Sequence, residues 1–260
     1  MADHGRHNEA SLLRDYSRQA QTYDETRSAS PSVLGPLREA LAGAPGRRLA
    51  DVGGGTGNYS RALRDEGWDP VVIDRQPEML ARAEAKGLET VEADAMALPL
   101  PDESVDAVML VSMLHHVEDP PVAVAEAQRI LRPGGRLALM VFTREDVESM
   151  WLTDYFPSTR AWIVASHPSL EELLAMVPGA RRIEVRFRDL DDGSLAALAG
   201  HPERVVDPAW HMQTSYFERL ERDRSEEMAT GLQRIRDELE AGTAPREPGP
   251  ATVLAWTKSD

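Results

Sequence analysis

The chain has 260 residues and a formal net charge of −15 at pH 7, from 44 Asp and Glu against 29 Lys and Arg. A protein that binds nucleic acid or an anionic membrane surface usually has a basic face, so this excess of acidic residues disfavours both partners. There is no cysteine, which excludes disulfides and thiolate chemistry. There is also no apolar run of about 18 residues and no charged-then-apolar leader, so we expect no membrane segment and a cytoplasmic location.

The first 45 residues have helical patterns. Residues 8–24 and 31–43 are predicted helices, and the second carries Pro31 near its start and Gly43 near its end. We interpret residues 1–45 as an N-terminal helical cap.

Short apolar runs then alternate with helical segments. Five predicted strands separated by four helices indicate a doubly wound parallel sheet, within a predicted core of residues 46–142. The predicted strands cover residues 47–52, 70–74, 88–92, 105–111 and 136–142.

This alternation ends after Phe142. Residues 143–180 are predicted to form a lid segment, and residues 181–260 contain two more strands, at 181–190 and 251–258, around a helical insertion at 191–244. The expected fold is therefore α/β, a mostly parallel seven-stranded sheet with a helical lid over its carboxyl edge.

The first predicted strand runs into a glycine-rich turn, Asp51-Val52-Gly53-Gly54-Gly55-Thr56-Gly57. Ligands of open α/β sheets bind outside the carboxyl ends of the strands, and glycine lets a ligand approach the main chain closely. The dinucleotide fingerprint Gly-x-Gly-x-x-Gly requires a third glycine at the position of Asn58. Asp74 closes the second predicted strand, where a carboxylate can accept both hydroxyls of a ribose. NAD-binding proteins use an acid in the same way, so Asp74 alone does not separate the two classes.

The pattern acid-apolar-Gly-x-Gly-x-Gly is followed in order by Asp74, LPLPDESVDAV, LHHVEDP and RILRPGGRLAL. This series resembles class I S-adenosylmethionine-dependent methyltransferases, specifically the ubiquinone/menaquinone-biosynthesis-like branch that acts on small molecules. The resemblance extends from about Leu49 to Phe142. It implies a Rossmann-like methyltransferase fold, S-adenosylmethionine as cofactor and S-adenosylhomocysteine as product.

The resemblance also implies a set of cofactor contacts. The carboxylate of Asp94 is expected to accept a hydrogen bond from the adenine amino group, with the backbone of Ala95 beside the ring. Tyr23 is predicted to contact the methionine end, although Tyr16 and Tyr23 could equally pack one helix face. The predicted cofactor-binding residues are Asp51, Gly53, Gly55, Gly57, Asp74, Arg75, Asp94, Ala95, Ser112 and Tyr23.

The sulfonium methyl group is already activated, so the protein must align a nucleophile, exclude water and, where needed, remove a proton. His115 and His116 follow the fourth predicted strand, and histidine can accept a proton near neutral pH. We predict His116 as general base and His115 as a neighbour of the cofactor, the alternative being a structural role for either. Predicted substrate contacts, each of which could instead belong to the core, are Trp151, Tyr155, His167 and His211.

The predicted function is methyl transfer to O, N or C of a small metabolite. The Arg- and Ala-rich, Lys-poor composition suggests a bacterial source and secondary metabolism. No metal site is predicted, because spacing of the HExxH kind is absent, and the chain is expected to be a monomer or homodimer. Three alternatives remain: a non-catalytic S-adenosylmethionine- or S-adenosylhomocysteine-binding regulator or scaffold, an NAD-dependent reductase, and a non-methyl reaction such as cyclisation.

Overall fold

The computed structural model describes residues 28–188 and 194–259, and the structural statements below concern these residues. The predicted helix at 8–24 and its Tyr23 lie outside them.

Seven strands form one sheet in the order β3-β2-β1-β4-β5-β7-β6. All neighbouring strands pair in parallel except β7, which is antiparallel to both β5 and β6. The predicted fold class is therefore confirmed. The strand order reverses between β1 and β4, which is where open α/β sheets bind ligands. The strands are β1 Arg48–Val52, β2 Asp69–Asp74, β3 Glu89–Glu92, β4 Val105–Val111, β5 Leu131–Val141, β6 Arg181–Arg186 and β7 Pro250–Thr257.

Helices cover both faces of the sheet. Three of those in the first half have proline in their first turn, where its missing N–H is not needed. The helices of this half are α1 Pro31–Leu41, α2 Asn58–Arg64, α3 Pro77–Ala85 and α4 Pro120–Ile130.

The count of four helices between the first five strands is corrected by the structure. Only α2, α3 and α4 are α-helices there, and the fourth element is a single 3₁₀ turn, Leu114–His116. Residues 93–104, between β3 and β4, contain no helix. Pro99 and Pro101 lie in that stretch, and each removes a backbone N–H that a helix would need.

The second half of the chain is mainly helical. Its helices are α5 Arg144–Glu148, α6 Leu152–Tyr155, α7 Thr159–Ser166, α8 Leu170–Met176, α9 Leu195–Ala199, α10 Pro202–Val205, α11 Pro208–His211 and α12 Ser215–Glu240. The strand predicted to continue to Leu190 ends at Arg186. None of the described helices is long and apolar enough to cross a membrane.

Helices α9–α12, the helical insertion, are attached at the carboxyl edge of the sheet. They leave the end of β6 and return at the start of β7, and because β7 runs antiparallel, both connections lie at that edge. The insertion and α6 share an apolar core of their own. Val147, Met150 and Ile163, by contrast, pack with α1 against one face of the sheet. Part of the segment predicted as a lid over the edge therefore covers a face of the sheet.

Candidate functional site

The glycine turn after β1 is anchored to β2. The backbone N–H groups of Gly53 and Gly54 donate to the carbonyl of Ile73 at 2.7 and 3.3 Å. Gly55 has φ 53°, in the left-handed region that favours glycine. A Cβ placed at Gly55 would meet nothing within 4 Å, whereas one at Gly53 would lie 2.8 Å from the side chain of Met113. The turn thus leaves open space above Gly55 and contacts the segment after β4 through Gly53.

Asp74, at the carboxyl end of β2, lies against this turn. Its Oδ2 accepts the N–H of Gly55 and its Oδ1 accepts the N–H of Gln76, both at 2.9 Å. Burial raises the pKa of Asp74, while the two N–H donors and the charge of Arg75 oppose that rise. Each carboxylate oxygen can accept more than one hydrogen bond, so capacity remains for two further donors. These remaining acceptor positions fit the two hydroxyls of a ribose, which would donate to them.

Asp51 is buried beneath the turn. Its Oδ2 accepts the hydroxyl of Ser60 at 2.7 Å, and a Cβ at Gly54 would lie 2.5 Å from its carboxyl group. Burial raises the pKa of Asp51 to about 7; the Ser60 hydrogen bond opposes the rise, and the charge of Asp74 adds to it. A cation bound close by would favour the ionised form.

The sequence patterns did not identify three residues that support the turn. Ser60 donates to Asp51 and Gln76 donates to Asp74, as described above. The third residue, Lys86, contacts the turn itself. Its Nζ donates to the carbonyl of Thr56 at 2.8 Å and to Oδ1 of Asn58 at 2.6 Å. Asn58 therefore has a structural partner at the position where a dinucleotide fingerprint has glycine. A lysine nearly thirty residues from the turn gives no local signal of such a contact.

Asp94 and Ala95 begin the loop after β3, next to Asp74. The N–H of Ala93 donates to the carbonyl of Asp74 at 3.0 Å. The side chain of Asp94 is exposed, and its Oδ1 accepts the N–H of Met96 at 2.8 Å. The predicted ribose and adenine acids therefore lie at the ends of neighbouring strands.

The segment after β4 forms the rim opposite these carboxylates. Ser112 has φ 52°, an unusual value for a residue other than glycine. Such strain costs roughly 1–3 kcal/mol and persists where surrounding contacts impose it. Here the N–H of Ser112 donates to the carbonyl of Met140 at 2.9 Å. The buried Met113 follows and lies against Gly53, and His115 and His116 come two and three residues later, in the 3₁₀ turn Leu114–His116.

Three histidines from two parts of the chain converge at this rim. The ring centroids of His115 and His116 are 3.8 Å apart, and the ring of His167, which follows α7, stacks on His115 at 6.1 Å. Burial lowers the pKa of His167, a hydrogen bond to Ile163 opposes this, and the charge of Arg144 lowers it further. An imidazole that is neutral near pH 7 can act as a proton acceptor.

The other predicted substrate residues lie in the helical core instead. Trp151 Nε1 donates to the carbonyl of Ala199 at 2.9 Å, and the hydroxyl of Tyr155 is hydrogen-bonded to Glu238. His211 is buried, with Nδ1 2.7 Å from the carbonyl of Val205. One polar atom of each side chain thus has a partner on the helices of the insertion or on the loops between them, and the role of these three residues as substrate contacts stays a prediction. In the parts of the chain described, no three His, Asp or Glu side chains are grouped to hold a metal.

Comparison with known proteins places this site in a family. A methyltransferase domain model matches residues 50–139. An uncharacterized methyltransferase of Mycobacterium bovis is 44% identical over 105 residues, which cover 40% of this chain and 43% of that protein. A ubiquinone/menaquinone biosynthesis C-methyltransferase of Ruegeria sp. is 32% identical over 189 residues, covering 62% of this chain and 76% of the relative.

Among solved structures, a protein assigned as a methyltransferase of an antibiotic biosynthesis pathway in Anabaena variabilis matches with a TM-score of 0.71. It has 24% sequence identity, covering 88% of this chain and 98% of the other. This likeness supports the fold. The chain spans about half the length of the first curated relatives it matches.

The ordered turn, the carboxylates and the relatives together define a class. The chain belongs to the class I S-adenosylmethionine-dependent methyltransferases, and within them to the ubiquinone/menaquinone-like branch. Its cofactor is S-adenosylmethionine rather than a nicotinamide, in agreement with Asn58 in place of the third glycine.

Proposed function

We propose that the chain transfers the methyl group of S-adenosylmethionine to O, N or C of a small metabolite. One observation carries the proposal. The cradle formed by Gly55 and Asp74 and the histidine group of His115, His116 and His167 meet at one edge of the sheet, joined by the contact between Gly53 and Met113.

The cofactor, when bound, supplies an electrophilic methyl group on a sulfonium. Asp74 would accept the ribose hydroxyls and Asp94 the adenine amino group. Asp51, buried beneath the turn, would provide negative charge near the amino-acid end. Gly53, Gly55 and Gly57 let the main chain approach the ligand, while Arg75, Ala95, Ser112 and Tyr23 remain predicted cofactor contacts.

We assign the proton transfer to His116. As the acceptor forms its bond to the methyl carbon, the proton that it must lose passes to the imidazole. His115 lies between His116 and His167 and fixes the ring group, since it contacts both rings. Helix α7, which precedes His167, would limit the access of water to this rim.

A hydroxyaromatic acceptor suits this arrangement best. Removing a hydroxyl proton makes both the oxygen and the neighbouring ring carbons more nucleophilic, so one base could serve O- or C-methylation. The name of the Ruegeria relative states C-methylation in quinone biosynthesis, and that of the Anabaena structure states antibiotic biosynthesis. We accordingly propose a small aromatic metabolite, with secondary metabolism as its setting and a monomer or homodimer as the working form.

Two measurements test this function. Calorimetry should show binding of S-adenosylmethionine and S-adenosylhomocysteine and much weaker binding of NAD. Incubation with methyl-labelled cofactor and a panel of hydroxyaromatic compounds should then give labelled product. Binding without turnover on any acceptor class would favour the regulator alternative, an unlabelled rearranged product would favour cyclisation, and preference for NAD would contradict the proposal.

Replacing the proposed base gives a sharper test. His116→Ala should lower kcat about 10²–10⁴-fold, the usual contribution of general acid–base catalysis, while affinity for S-adenosylhomocysteine stays within a few-fold. His201→Ala is the matched control, because this half-exposed histidine pairs with Glu203 in the helical insertion. A kcat for His116→Ala within a few-fold of wild type would return His116 to a structural role.

A further inference from the structure

One arginine of α4 makes a dense set of contacts with the loop that carries Asp94. Arg129 donates from Nε and from one terminal nitrogen to the two oxygens of Glu126, at 2.7 and 2.8 Å. The remaining N–H groups reach the carbonyls of Leu98 and Leu100 at 3.0 and 2.9 Å and the carboxylate of Asp102 at 2.6 Å. Each of the five N–H donors of the guanidinium therefore has an acceptor.

The loop needs an external partner of this kind. Pro99 and Pro101 remove two backbone N–H groups, so the stretch does not form a helix or join the sheet. The carbonyls of Leu98 and Leu100 precede these prolines, and Arg129 supplies a donor to both. Glu126 accepts the N–H of Leu98 at 2.9 Å, and its hydrogen bonds with Arg129 lower the pKa of Glu126. The backbone N–H of Leu98 and the carbonyls of Leu98 and Leu100 thus all have hydrogen-bond partners on α4.

The held segment begins four residues after Asp94. Leu98 is also buried in the apolar core beneath α4. Asp94 is exposed, and its hydrogen bonds within the loop are local: its side chain accepts the N–H of Met96 and its carbonyl accepts the N–H of Ala97. Ala95 and Met96, between Asp94 and Leu98, pack against the edge of the same apolar core.

Before Asp94, the chain is attached to β2 by the hydrogen bond from Ala93 to Asp74. After Asp94, the hydrogen-bonded attachment to α4 is the one that Arg129 and Glu126 make at Leu98, so the direction of the Asp94 side chain depends on both attachments.

We propose that Arg129, paired with Glu126, is a positioning residue that sets the adenine specificity of the cofactor site by placing Asp94 at the edge of the sheet. This inference rests on the proposed function, because it takes Asp94 as the acceptor of the adenine amino group. Arg129 acts through the loop and does not touch the cofactor. Lysine cannot replace it, since an ammonium has three donors and no planar fork.

The test compares two ligands that differ only at the adenine amino group. Calorimetry with S-adenosylhomocysteine and S-inosylhomocysteine, in which an oxygen replaces that amino group, gives a preference ratio for each variant. Wild type should prefer S-adenosylhomocysteine, and Arg129→Lys should reduce the ratio about tenfold, the value of one hydrogen bond to a charged group. Asp94→Ala should reduce the ratio equally, and the double variant should lose nothing more.

A general loss of stability would weaken both ligands and leave the ratio unchanged. Arg132→Lys is the matched control, because Arg132 pairs with Asp106 at the opposite edge of the sheet, and it should keep the wild-type ratio. Glu126→Gln provides a milder second variant if Arg129→Lys does not fold, and it should reduce the ratio in the same direction.

The outcomes separate this inference from the proposed function. A wild-type ratio in folded Arg129→Lys and Glu126→Gln would overturn it, as would a wild-type protein that binds both ligands equally, and both results leave the methyltransferase proposal standing. Failure of wild type to bind S-adenosylhomocysteine would instead contradict the proposed function.

Discussion

The carboxyl edge of the sheet and the helical insertion beside it are stabilised in different ways. At the edge, backbone N–H groups and short polar side chains fix the carboxylates, as Gly55 does for Asp74 and Ser60 does for Asp51. In the insertion, apolar and aromatic side chains fill a core in which Phe156 and Phe217 pack edge to face at 5.4 Å. A site built from specific hydrogen bonds tolerates little change, whereas a core mainly needs to be filled to the right volume.

This difference agrees with where relatives match. The methyltransferase domain model covers residues 50–139, which contain the glycine turn and its carboxylates but none of the insertion. We infer that the acceptor side of the protein can vary while the cofactor side is retained.

A buried carboxylate attaches the helices that follow β5 to the sheet. Asp146, in α5, accepts the N–H of Thr143, the hydroxyl of Thr252 and a guanidinium N–H of Arg182, at 3.1, 2.9 and 3.1 Å. These donors come from the ends of β5, β7 and β6. The helices that follow β5 therefore leave the sheet in a fixed direction, which brings α7 and His167 back to the rim.

The largest expected effect tests whether the insertion core is separate from cofactor binding. Phe156 is fully buried, and Phe156→Ala should lower the free energy of unfolding by about 3–5 kcal/mol through lost burial and the cavity left behind. Urea denaturation monitors this change. Affinity for S-adenosylhomocysteine at 25 °C should stay within a few-fold, because no Phe156 contact reaches the carboxylates.

Leu110→Ala in β4 is the comparison variant. Leu110 is buried to the same degree in the sheet core, just before the rim, and its loss should reduce both stability and ligand affinity. If Phe156→Ala weakened binding as much as Leu110→Ala, the two regions would form one cooperative unit and the proposed separation would be wrong.

The next effect concerns the edge itself. Asp74→Ala should weaken S-adenosylhomocysteine binding by about 2–4 kcal/mol, because two ribose hydroxyls lose a charged acceptor. Calorimetry measures the loss. Asp69→Ala is the control on the same strand, since Asp69 is exposed at the opposite end of β2 and pairs with Arg48. Unchanged affinity for Asp74→Ala would show that Asp74 is not the ribose acid.

The cofactor edge was largely predictable from the sequence because its signals are local. Apolar runs locate buried parallel strands, and parallel strands bring their carboxyl ends to one edge, so Asp51, Asp74 and Asp94 were expected to be neighbours. The glycine turn needed only the chain order of its own residues. The partners from distant elements, Lys86 for the turn and Arg129 for the loop, leave no such local pattern.

The acceptor side was less predictable for a related reason. An aromatic side chain is equally suited to a pocket wall and to a helical core, so Tyr155 and Trp151 gave the same signal in either role. Only the packing against α9 and α12 places them in the core. His167 and His211 show the same ambiguity. His167 reaches the rim, whereas His211 is buried, and this difference depends on the path of the chain after Asp146.

The last expected effect is a pH dependence that arises at the edge, from Asp51. Because the pKa of Asp51 is raised from 3.8 to about 7, the folded chain without ligand retains a proton there that the unfolded chain has lost. The stability gained from this proton is complete below about pH 4 and is lost as the pH rises through 7. The free energy of unfolding of the wild type should therefore fall between pH 5 and pH 8, and Asp51→Asn should abolish this fall. Urea denaturation at each pH measures the change.

Ligand binding should show the opposite sign at the same carboxylate. If the ammonium of the cofactor lies near Asp51, binding requires the ionised form, so affinity for S-adenosylhomocysteine should fall about tenfold per pH unit below 7. Asp51→Asn should bind more weakly at pH 8 and lose this dependence. Asp106→Asn, a buried carboxylate at the opposite end of β4, should keep the wild-type profile. If the affinity of Asp51→Asn still depended steeply on pH, the titrating group would not be Asp51. The rim histidines would then be the next residues to replace.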